Sequence, residues 1–463
     1  MSLDRLIKVM NLLLRNYLYE VKKMKNMNEK KLLVISSDGN DITFVDAARE
    51  LGAYVICCDR YTDHRRSPAK ELADEAWDID YSDTATVAER CKKEHIDGVI
   101  AGYSEDRVLA ACRISSAIGT PFYATEEQIN ITRNKRLFKE LCGKYGVPTP
   151  VEYCHKLPMS PNDFASIKFP AIVKPSDNGG RRGITVCQTR EQLVAAIEDA
   201  AELSKTGEVV VEEYLTGMEL CAVYTLVDGE ISLSCLNDKY PSEEGDGTSH
   251  LCDVVITPSR FHQRYISEVD GKIKALLSGI GARNGVANFQ FIVSDDGIKA
   301  FEMGYRINGN DDYKVIRHCN GIDFSKMLVS YSLIGSMGET LEKDNPKFKE
   351  LICTLCFYLH GGTIGKIDYS SLIGITNIFD ISIHRRVGNI IPENGTNAQK
   401  LGMVKFTGNT IEDIIDTIHF IQQNLVVEDN RGQNMLLKPF NPLRLIEPPT
   451  VAVNAYVPND SAK

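Results

Sequence analysis

From residue 31 onward, short apolar runs alternate with stretches in which apolar residues recur every three or four positions. Short apolar runs are typical of buried strands, and the wider spacing is typical of helices with one buried face. In chain order, the first elements are the strand KLLVIS, the helix ITFVDAARELG, the strand YVICCD, the helix TVAERCKKEH and the strand DGVIAG. Strands that alternate with helices predict a parallel sheet covered on both faces. We therefore predict an N-terminal parallel α/β domain over residues 29–127.

The pattern becomes mixed after this domain. TRNKRLFKELCGKYG predicts a helix that ends at Gly146, and the apolar run FPAIVK predicts a strand. Two later segments alternate as antiparallel hairpins, with turns at Asp228-Gly229 and Asp296-Gly297. These features predict α+β structure in two further domains, a larger one over residues 128–340 and a small C-terminal one over residues 341–427.

The two ends of the chain differ from the rest. Residues 1–28 predict an amphipathic helical extension, because apolar residues recur at helical spacing at Leu6, Met10, Leu13, Leu14 and Leu18. Charged residues interrupt this segment, so it does not have the continuous apolar region of a signal peptide. The proline-rich residues 428–463 predict an extended tail that wraps the surface or a partner.

Composition narrows the possible partners. The 463 residues carry a net charge of -10, which argues against a general role on nucleic acid or a membrane surface. The 13 cysteines are scattered, mostly within apolar runs such as VICCD and LICTLCF. Buried free thiols of this kind are typical of a reducing compartment. We therefore predict a cytoplasmic protein without nucleic-acid or membrane partners.

The segment KPSDNGGRRG, residues 174–183, has the residues of a phosphate-binding loop in an unusual order. Its lysine closes the strand FPAIVK, the glycines follow, and GITVCQT predicts another strand. A Walker loop has its lysine after the glycines, and a dinucleotide fingerprint has its glycines between a strand and a helix. The first turn of the N-terminal domain, SSDGND, also lacks those glycines, so Asp59 is not expected to hold a dinucleotide ribose. A nucleotide clamped between two sheets under a mobile glycine loop fits this order.

Four segments in sequence, RNKRLF, IVKPSDNGGRRG, VVVEEYLTGMEL and FEMGYR, resemble the ATP-grasp superfamily, in its carboxylate-amine ligase and carbamoyl-phosphate-synthase-like branch. The resemblance covers about residues 31–425. It implies ATP and Mg²⁺ (or Mn²⁺) as cofactors and a glycine-loop subdomain at about residues 148–211. It further implies an ATP site that consists of Lys135, Lys174, Ser176, Gly179, Gly180, Gly183, Glu212, Glu213, Tyr214, Leu215 and Glu219.

The residues have suitable chemistry for these implied roles. Lys135 and Lys174 would offset phosphate charge from two sides, although most lysines in proteins are simply solvated. Glu212 would lie near the adenine amino group, and Glu219 would accept hydrogen bonds from the ribose hydroxyls. Because side chains alternate along a strand, we also expect one of Glu212 and Glu213 to face solvent.

The hairpin VANFQFIVSDDGIKAFEMGYR carries the implied metal chemistry. Gln290 and Glu302 match the family's metal ligands and supply the oxygen atoms that Mg²⁺ prefers. Arg306 matches the arginine that acts on the phosphoryl group or the substrate carboxylate, so Arg306 and Lys174 are the implied catalytic residues. The family pattern is usually glutamate, any residue, asparagine, any residue, arginine, whereas this chain has Gly304. One metal position therefore loses a donor, and the residues that could compensate are Asn308, Asn310, Asp311 and Asp312.

The resemblance implies an ATP-dependent carboxylate-amine ligase that forms an amide or peptide-like bond through an acyl phosphate and releases ADP and phosphate. Its partners would be a small carboxylic acid and an amine, amino acids included, and a second copy of the chain in a homodimer. Two alternatives stay open. One is a bicarbonate-phosphorylating carboxylase or carbamoyl-phosphate-synthase-like enzyme. The other, because of Gly304, is a non-catalytic ATP-binding regulatory module.

Four further residues are candidates for substrate binding, namely Glu105, Lys239, His250 and Asn308. Glu105 follows the third predicted parallel strand, where it could hold a substrate amine or cap the next helix. Lys239 and His250 belong to the polar segment NDKYPSEEGDGTSHLCDVV, which predicts a loop between strands and is equally typical of a solvated surface.

Overall fold

The computed structural model describes residues 27–28, 30–36, 39–154, 159–176, 183–242 and 251–447. The predicted helical extension therefore lies outside the described residues up to position 26, as do Gly179, Gly180, His250 and the tail beyond residue 447. Within the described ranges, no helix combines the length and the apolar character needed to cross a membrane.

The N-terminal region alternates strands and helices as predicted. Its elements are β1 (Lys31–Ile35), α1 (Ile42–Glu50), β2 (Tyr54–Asp59), α2 (Pro68–Leu72), β3 (Glu75–Asp78), α3 (Thr84–Lys93), β4 (Gly98–Ile100) and α4 (Glu105–Ile118). The strands pair in parallel in the order β3-β2-β1-β4. Leu32 to Ile35 of the central strand β1 are fully buried, as expected for a strand with helices on both faces.

A smaller antiparallel sheet follows. Its region contains α5 (Glu126–Arg133), α6 (Lys135–Tyr145), β5 (Glu152–Cys154), α7 (Pro161–Ser166), β6 (Ala171–Pro175), β7 (Thr185–Cys187), α8 (Arg190–Leu203) and β8 (Val209–Glu213), with the strand order β5-β8-β6-β7. Helix α6 begins where Asn134 accepts hydrogen bonds from the main chain of its first turn, and it ends at Gly146, whose φ of 66° is left-handed. We call the sheet of β5 to β8 the small sheet.

The remaining strands form a larger antiparallel sheet in the order β13-β12-β9-β10-β11-β14-β18-β16, and a second short sheet in the order β17-β15-β19. We call the former the large sheet. The elements of this region are β9 (Met218–Val227), β10 (Glu230–Pro241), β11 (Cys252–Thr257), α9 (His262–Tyr265), α10 (Gly271–Gly279), β12 (Gly285–Ser294), β13 (Gly297–Gly304), α11 (Asp312–Asn320), α12 (Phe324–Ile334), β14 (Leu351–Tyr358), β15 (Gly362–Asp368), β16 (Ile378–Ile383), β17 (Ile390–Ile391), β18 (Lys400–Gly408), α13 (Ile411–Asn424) and β19 (Val426–Asp429).

The mixed α/β fold is confirmed, with two differences of detail. The β9–β10 turn lies at Asp228-Gly229 as predicted, but the β12–β13 turn consists of Asp295 and Asp296, and Gly297 already pairs with Ser294. The boundary that we predict after residue 340 does not separate two sheets, because Val254 of β11 pairs directly with Leu355 of β14. Strands that are distant in sequence thus pair in one sheet. Local sequence patterns do not show which distant strands will pair.

The apolar cores follow the sheets. One core is shared by the N-terminal region and the first strands of the large sheet, and Trp77, Phe44, Tyr224 and Phe289 are among its members. The small sheet has a separate core in which Val173 and Val211 pack against helix α8. The described part of the tail packs on the large sheet, where the ring of Phe440 meets that of Tyr240 edge to face.

Candidate active site

Polar side chains line one face of the large sheet, on four adjacent strands. In the strand register, Glu302 pairs with Gln290, Gln290 pairs with Cys221, and Glu219 pairs with Lys239. Paired residues point to the same face of an antiparallel sheet. The Gln290 Nε2 lies 3.3 Å from Glu302 Oε2, and the Lys239 Nζ contacts the Glu219 carboxylate and lies 3.3 Å from Gln290 Oε1. The implied ribose and metal residues therefore form one hydrogen-bonded row.

This geometry corrects the prediction for Lys239. The residue belongs to strand β10 and is buried, so it is not part of a solvated loop. The strand continues to Pro241, five residues into the segment that the polar pattern assigned to a loop, because β11 pairs with it on one side and β9 on the other. Lys239 instead contributes the positive charge within a row of oxygen-bearing side chains.

Two lysines share one carboxylate on the small sheet. Glu212 of β8 is almost fully buried, and its two oxygens contact the Nζ atoms of Lys174 and Lys139. Lys139 lies one helical turn after Lys135 on α6 and also approaches Glu152 at 3.3 Å. Burial lowers the pKa of Lys139, and the charge of Glu152 opposes that shift. Lys139 is not among the residues that the motifs implied, although its position four residues after Lys135 places it on the same helix face.

We expected one of Glu212 and Glu213 to face solvent, and the Glu213 side chain is 24% exposed whereas Glu212 is buried. Glu213 accepts hydrogen bonds from the Val151 main-chain nitrogen at 2.8 Å and from Lys299 Nζ at 2.5 Å. Strand β8 is interior to the small sheet, and Lys299 reaches its other face from strand β13 of the large sheet. The neighbouring elements therefore cover Glu213 only in part.

The other described residues of the implied ATP site lie beside the small sheet and on its connection to the large sheet. The main-chain nitrogen of Lys135 donates to Ser176 O at 3.4 Å, and Tyr214 N donates to Pro170 O at 3.3 Å. Tyr214 and Leu215 belong to the connection from β8 to β9, in which Gly217 has a φ of 150° and lies against the main chain of Val293. A side chain at position 217 would collide with that strand, so this glycine is required by close approach.

Gly183 is the one predicted loop glycine that the structure describes. Its φ of 75° is left-handed, and a Cβ there would lie 2.8 Å from Leu203 and 2.9 Å from Pro175. Both conformation and space therefore favour glycine at the end of the loop.

Arg306 is held by Glu105. The Arg306 Nε lies 2.5 Å from Glu105 Oε1, and its Nη1 donates to Ile307 O at 2.9 Å. Glu105 is the first residue of α4, and the residue at the N-cap position of that helix is Ser104. Glu105 therefore does not occupy the capping position, and its carboxylate instead holds the arginine.

The loop after Arg306 leads to a buried polar cluster. Asn308 Nδ2 donates to Asp312 Oδ2 at 2.5 Å, and Asn237 Nδ2 donates to the same oxygen at 3.2 Å. Burial raises the pKa of Asp312. Lys405 is fully buried, donates to Asn310 O at 3.0 Å, and has its pKa lowered by that burial. Of the residues that could compensate for Gly304, Asn308 and Asp312 are thus bound to each other.

A cavity of about 460 Å³ lies beyond this loop, between α1, α11 and β16. Its lining has charges of both signs, from Asp46, Glu50, Asp311, Lys314, Arg317, Asp323, Lys326, Asp380 and Arg386. His384 also lines it, and burial lowers the pKa of that imidazole to about 4, so the ring is neutral near pH 7. The size and mixed charge suit a small polar molecule.

The donor set can be compared with the needs of a divalent cation. No group of three or more His, Cys, Asp and Glu side chains with metal-site geometry occurs in the part of the chain that the structure describes. Mg²⁺ is commonly held by one or two carboxylates together with substrate phosphates. Glu302 and the amide of Gln290 fit that need, provided that phosphate oxygens supply most of the other ligands.

Several known proteins resemble this chain in sequence or in fold. The family described as D-ala D-ala ligase C-terminus matches residues 155–243. The chain is 24% identical over 257 residues to formate-dependent phosphoribosylglycinamide formyltransferase of Bacteroides thetaiotaomicron, which covers 54% of the chain and 65% of that protein. It is 28% identical over 177 residues to the carbamoyl phosphate synthase large chain of Xanthomonas campestris, which covers 37% of the chain and 16% of that protein.

Among solved structures, L-amino acid ligase of Bacillus licheniformis has a TM-score of 0.71 at 17% identity, over 87% of this chain and 99% of that one. The chain therefore shares the fold of that ligase. Its sequence relatives belong to the branch of the ATP-grasp superfamily that the motifs resemble, which contains carboxylate-amine ligases and carbamoyl phosphate synthase. The chain spans less than two thirds of these two curated relatives.

Proposed function

We propose that the protein is an ATP-dependent ligase that joins a small carboxylic acid to an amine and releases ADP and phosphate. The observation that carries the proposal is a pair of lysines that share Glu212, namely Lys174 on the small sheet and Lys139 on helix α6, together with the row of oxygen-bearing side chains on the large sheet. The salt bridge between Glu213 of β8 and Lys299 of β13 connects the two sheets directly. ATP between them would meet cations at one side and metal ligands at the other.

The nucleotide would be bound by residues from both sheets. Lys174 and Lys139 would offset phosphate charge, and the connection at Tyr214 and Leu215 would run along the adenine edge. Glu219 would accept hydrogen bonds from the ribose. Glu212 would keep the two lysines close together, because a carboxylate between two ammonium groups reduces their mutual repulsion.

The substrate carboxylate would attack the γ-phosphorus, and the bond from that phosphorus to the bridging oxygen of ADP would break. The amine nitrogen would then attack the acyl carbon, phosphate would leave, and the nitrogen would lose its extra proton to solvent. Arg306, oriented by Glu105, would stabilise the negative charge that develops on the phosphoryl oxygens. Mg²⁺ held by Glu302 and Gln290 would supply further charge stabilisation when bound.

The cavity beside α11 is our candidate for the amine. An amino acid carries charges of both signs, and the lining of this cavity does too. Support for this choice also comes from the fold shared with an L-amino acid ligase. The role of His250 in substrate binding stays a prediction. Asn308 would contribute to substrate binding through its hydrogen bond to Asp312.

An ADP-release screen tests the proposal. Purified protein with ATP and Mg²⁺ would be mixed with pools of amino acids, small carboxylic acids and bicarbonate, and Glu302→Gln would serve as the matched inactive variant. We expect repeated turnover, with ADP in excess over the protein, only in wells that contain both an acid and an amine, because the acid alone can form no more than one bound acyl phosphate per site. ADP formation from bicarbonate alone would favour the carboxylase alternative.

Gly304 favours a second candidate function, a regulatory module that binds ATP without turnover. This candidate predicts tight ATP binding by calorimetry and no ADP in any well of the same screen. Light scattering of the same sample would test the proposed homodimer, for which a mass of twice 51.6 kDa is expected.

A further inference from the structure

Glycine at position 304 is not required by the backbone. The glycines of this chain with left-handed φ values do not include Gly304, which ends strand β13 in a conformation open to other residues. Its neighbour across the strand pair is Asn288 of β12. We therefore attribute the glycine at this position to the lack of room for a side chain.

The space above Gly304 belongs to Asn288. A Cβ at position 304 would lie 3.2 Å from Asn288 Nδ2 and 3.5 Å from Arg306 Cγ. Asn288 is 4% exposed, and its Nδ2 donates to Gly304 O at 3.3 Å and to Arg306 O at 2.8 Å. The amide of strand β12 thus lies over the position from which a side chain of residue 304 would project.

The two hydrogen bonds fix which way the amide faces. Both partners are carbonyl oxygens, which only accept, so the NH₂ group must point toward them. The oxygen Oδ1 then points away from both carbonyls, and among the described residues no hydrogen bond involves it. Through Oδ1, this side chain can act as a ligand of a metal ion.

Asn288 shares the face of the implied metal ligands. Residues two apart on a strand point the same way, so Asn288 and Gln290 lie on one face, and their pairing partners Gly304 and Glu302 do too. The register therefore places Asn288 beside the row that ends at Glu302. Amide and carboxylate oxygens together suit Mg²⁺ or Mn²⁺.

We propose that Asn288 supplies the amide oxygen to the bound divalent cation that Gly304 cannot supply. The ligand is thus contributed by strand β12 instead of β13, and glycine at 304 provides the room for it. This inference deepens the proposed function and rests on it, because the cation is the one that accompanies ATP.

Three variants test the proposal, namely Asn288→Ala, Gly304→Asn and the double variant that carries both. The readout is Mn²⁺ binding, followed by electron paramagnetic resonance in the presence of a non-hydrolysable ATP analogue. We expect Asn288→Ala to weaken nucleotide-dependent Mn²⁺ binding about tenfold or more. Gly304→Asn alone should weaken it as well, because the new Cβ crowds the Asn288 amide. The double variant should recover binding to within about threefold of wild type.

A matched control is Asn284→Ala. Asn284 is buried just before the same strand, and its Oδ1 accepts a hydrogen bond from Asp228 N at the β9–β10 turn. It should leave Mn²⁺ binding unchanged. Thermal unfolding of every variant separates loss of the site from loss of the fold.

The outcomes are distinguishable from those of the ligase screen. Wild-type Mn²⁺ affinity in Asn288→Ala overturns the inference, and so does a variant that loses turnover while Mn²⁺ affinity stays unchanged, since Asn288 would then only position Arg306. Mn²⁺ binding that responds as expected, without any ADP formation, supports Asn288 as a ligand and overturns the ligase activity alone. A wild-type protein without nucleotide-dependent Mn²⁺ binding overturns both.

Discussion

The charged clusters of the small sheet and the large sheet have opposite arrangements of positive and negative groups. On the small sheet, the carboxylate of Glu212 lies between Lys139 and Lys174. On the large sheet, the ammonium group of Lys239 lies in a row that contains the carboxylates of Glu219 and Glu302. In the first cluster two ammonium groups share Glu212, and Glu152 approaches one of them, whereas carboxylates outnumber the cation in the second. In our proposal the first cluster binds the phosphate chain and the second binds its metal ion.

The largest expected effect comes from the arginine next to the oxygen-rich cluster. Arg306→Ala should lower the rate of ADP formation about 100- to 1,000-fold, because it removes a preorganised charge that acts on the transferring group. ATP affinity measured by calorimetry should change far less. Equal losses of affinity and turnover would mean that Arg306 binds the nucleotide in its ground state, and the assigned division between the two sheets would fail.

The next largest effect is expected on the small sheet. Lys174→Met should weaken ATP binding about 10- to 100-fold, as expected for the loss of a charge-assisted hydrogen bond of about 1.5–3 kcal/mol. The measurement is calorimetric titration with ATP, and Lys168→Met, a lysine outside both clusters, is the matched control. Unchanged affinity in a folded Lys174→Met protein would remove the small sheet from the ATP site.

The comparison predicts effects of opposite sign for two further lysines. Lys139→Met should weaken ATP binding about threefold to tenfold, because it removes a positive charge that attracts the phosphates. Lys239→Met should strengthen Mn²⁺ binding by a similar factor, because it removes a positive charge, which repels the cation, from beside the metal ligands. Parallel titrations with ATP and with Mn²⁺ would check both signs. If both substitutions shift Mn²⁺ affinity in the same direction, the two clusters do not have the complementary roles assigned to them.

The smallest effect is expected from the salt bridge that joins the sheets. Lys299→Ala leaves Glu213 with its hydrogen bond from Val151 N, and both partners are partly exposed. We expect a loss of at most about 1 kcal/mol in the free energy of unfolding, measured by urea titration. A loss several times larger would indicate that this pair is needed to keep the sheets together.

Local signals in the sequence predicted much of this fold. Asn134 and Gly146 bound helix α6 because a side-chain cap and a left-handed glycine act within one turn of the chain. The Asp228-Gly229 turn was predictable for the same reason, since both residues adopt positive φ values. The sharing of Glu212 by two lysines was not, because Lys139 and Glu212 are 73 positions apart and meet only through tertiary packing.

The metal side of the site marks a similar limit. The sequence pattern identifies the missing metal ligand at Gly304 in Glu302-Met303-Gly304. The substitutes that it suggests are the residues that follow this glycine. Asn288 lies 16 positions earlier, and only the register of β12 against β13 brings it opposite Gly304. A strand register depends on turn length, and the turn itself was predicted one residue away from its observed position.

The pairing of β11 with β14 has a consequence for dividing the chain. A protein shortened after residue 340 would lose β14, β18 and β16, and the hydrogen-bonding edge of β11 from Val254 to Thr257 would become exposed. An uncovered edge strand with apolar side chains invites pairing with other molecules. The residues that bind nucleotide in our proposal would all be present in such a fragment, yet it should aggregate, so the smallest soluble unit of this protein is larger than its nucleotide site.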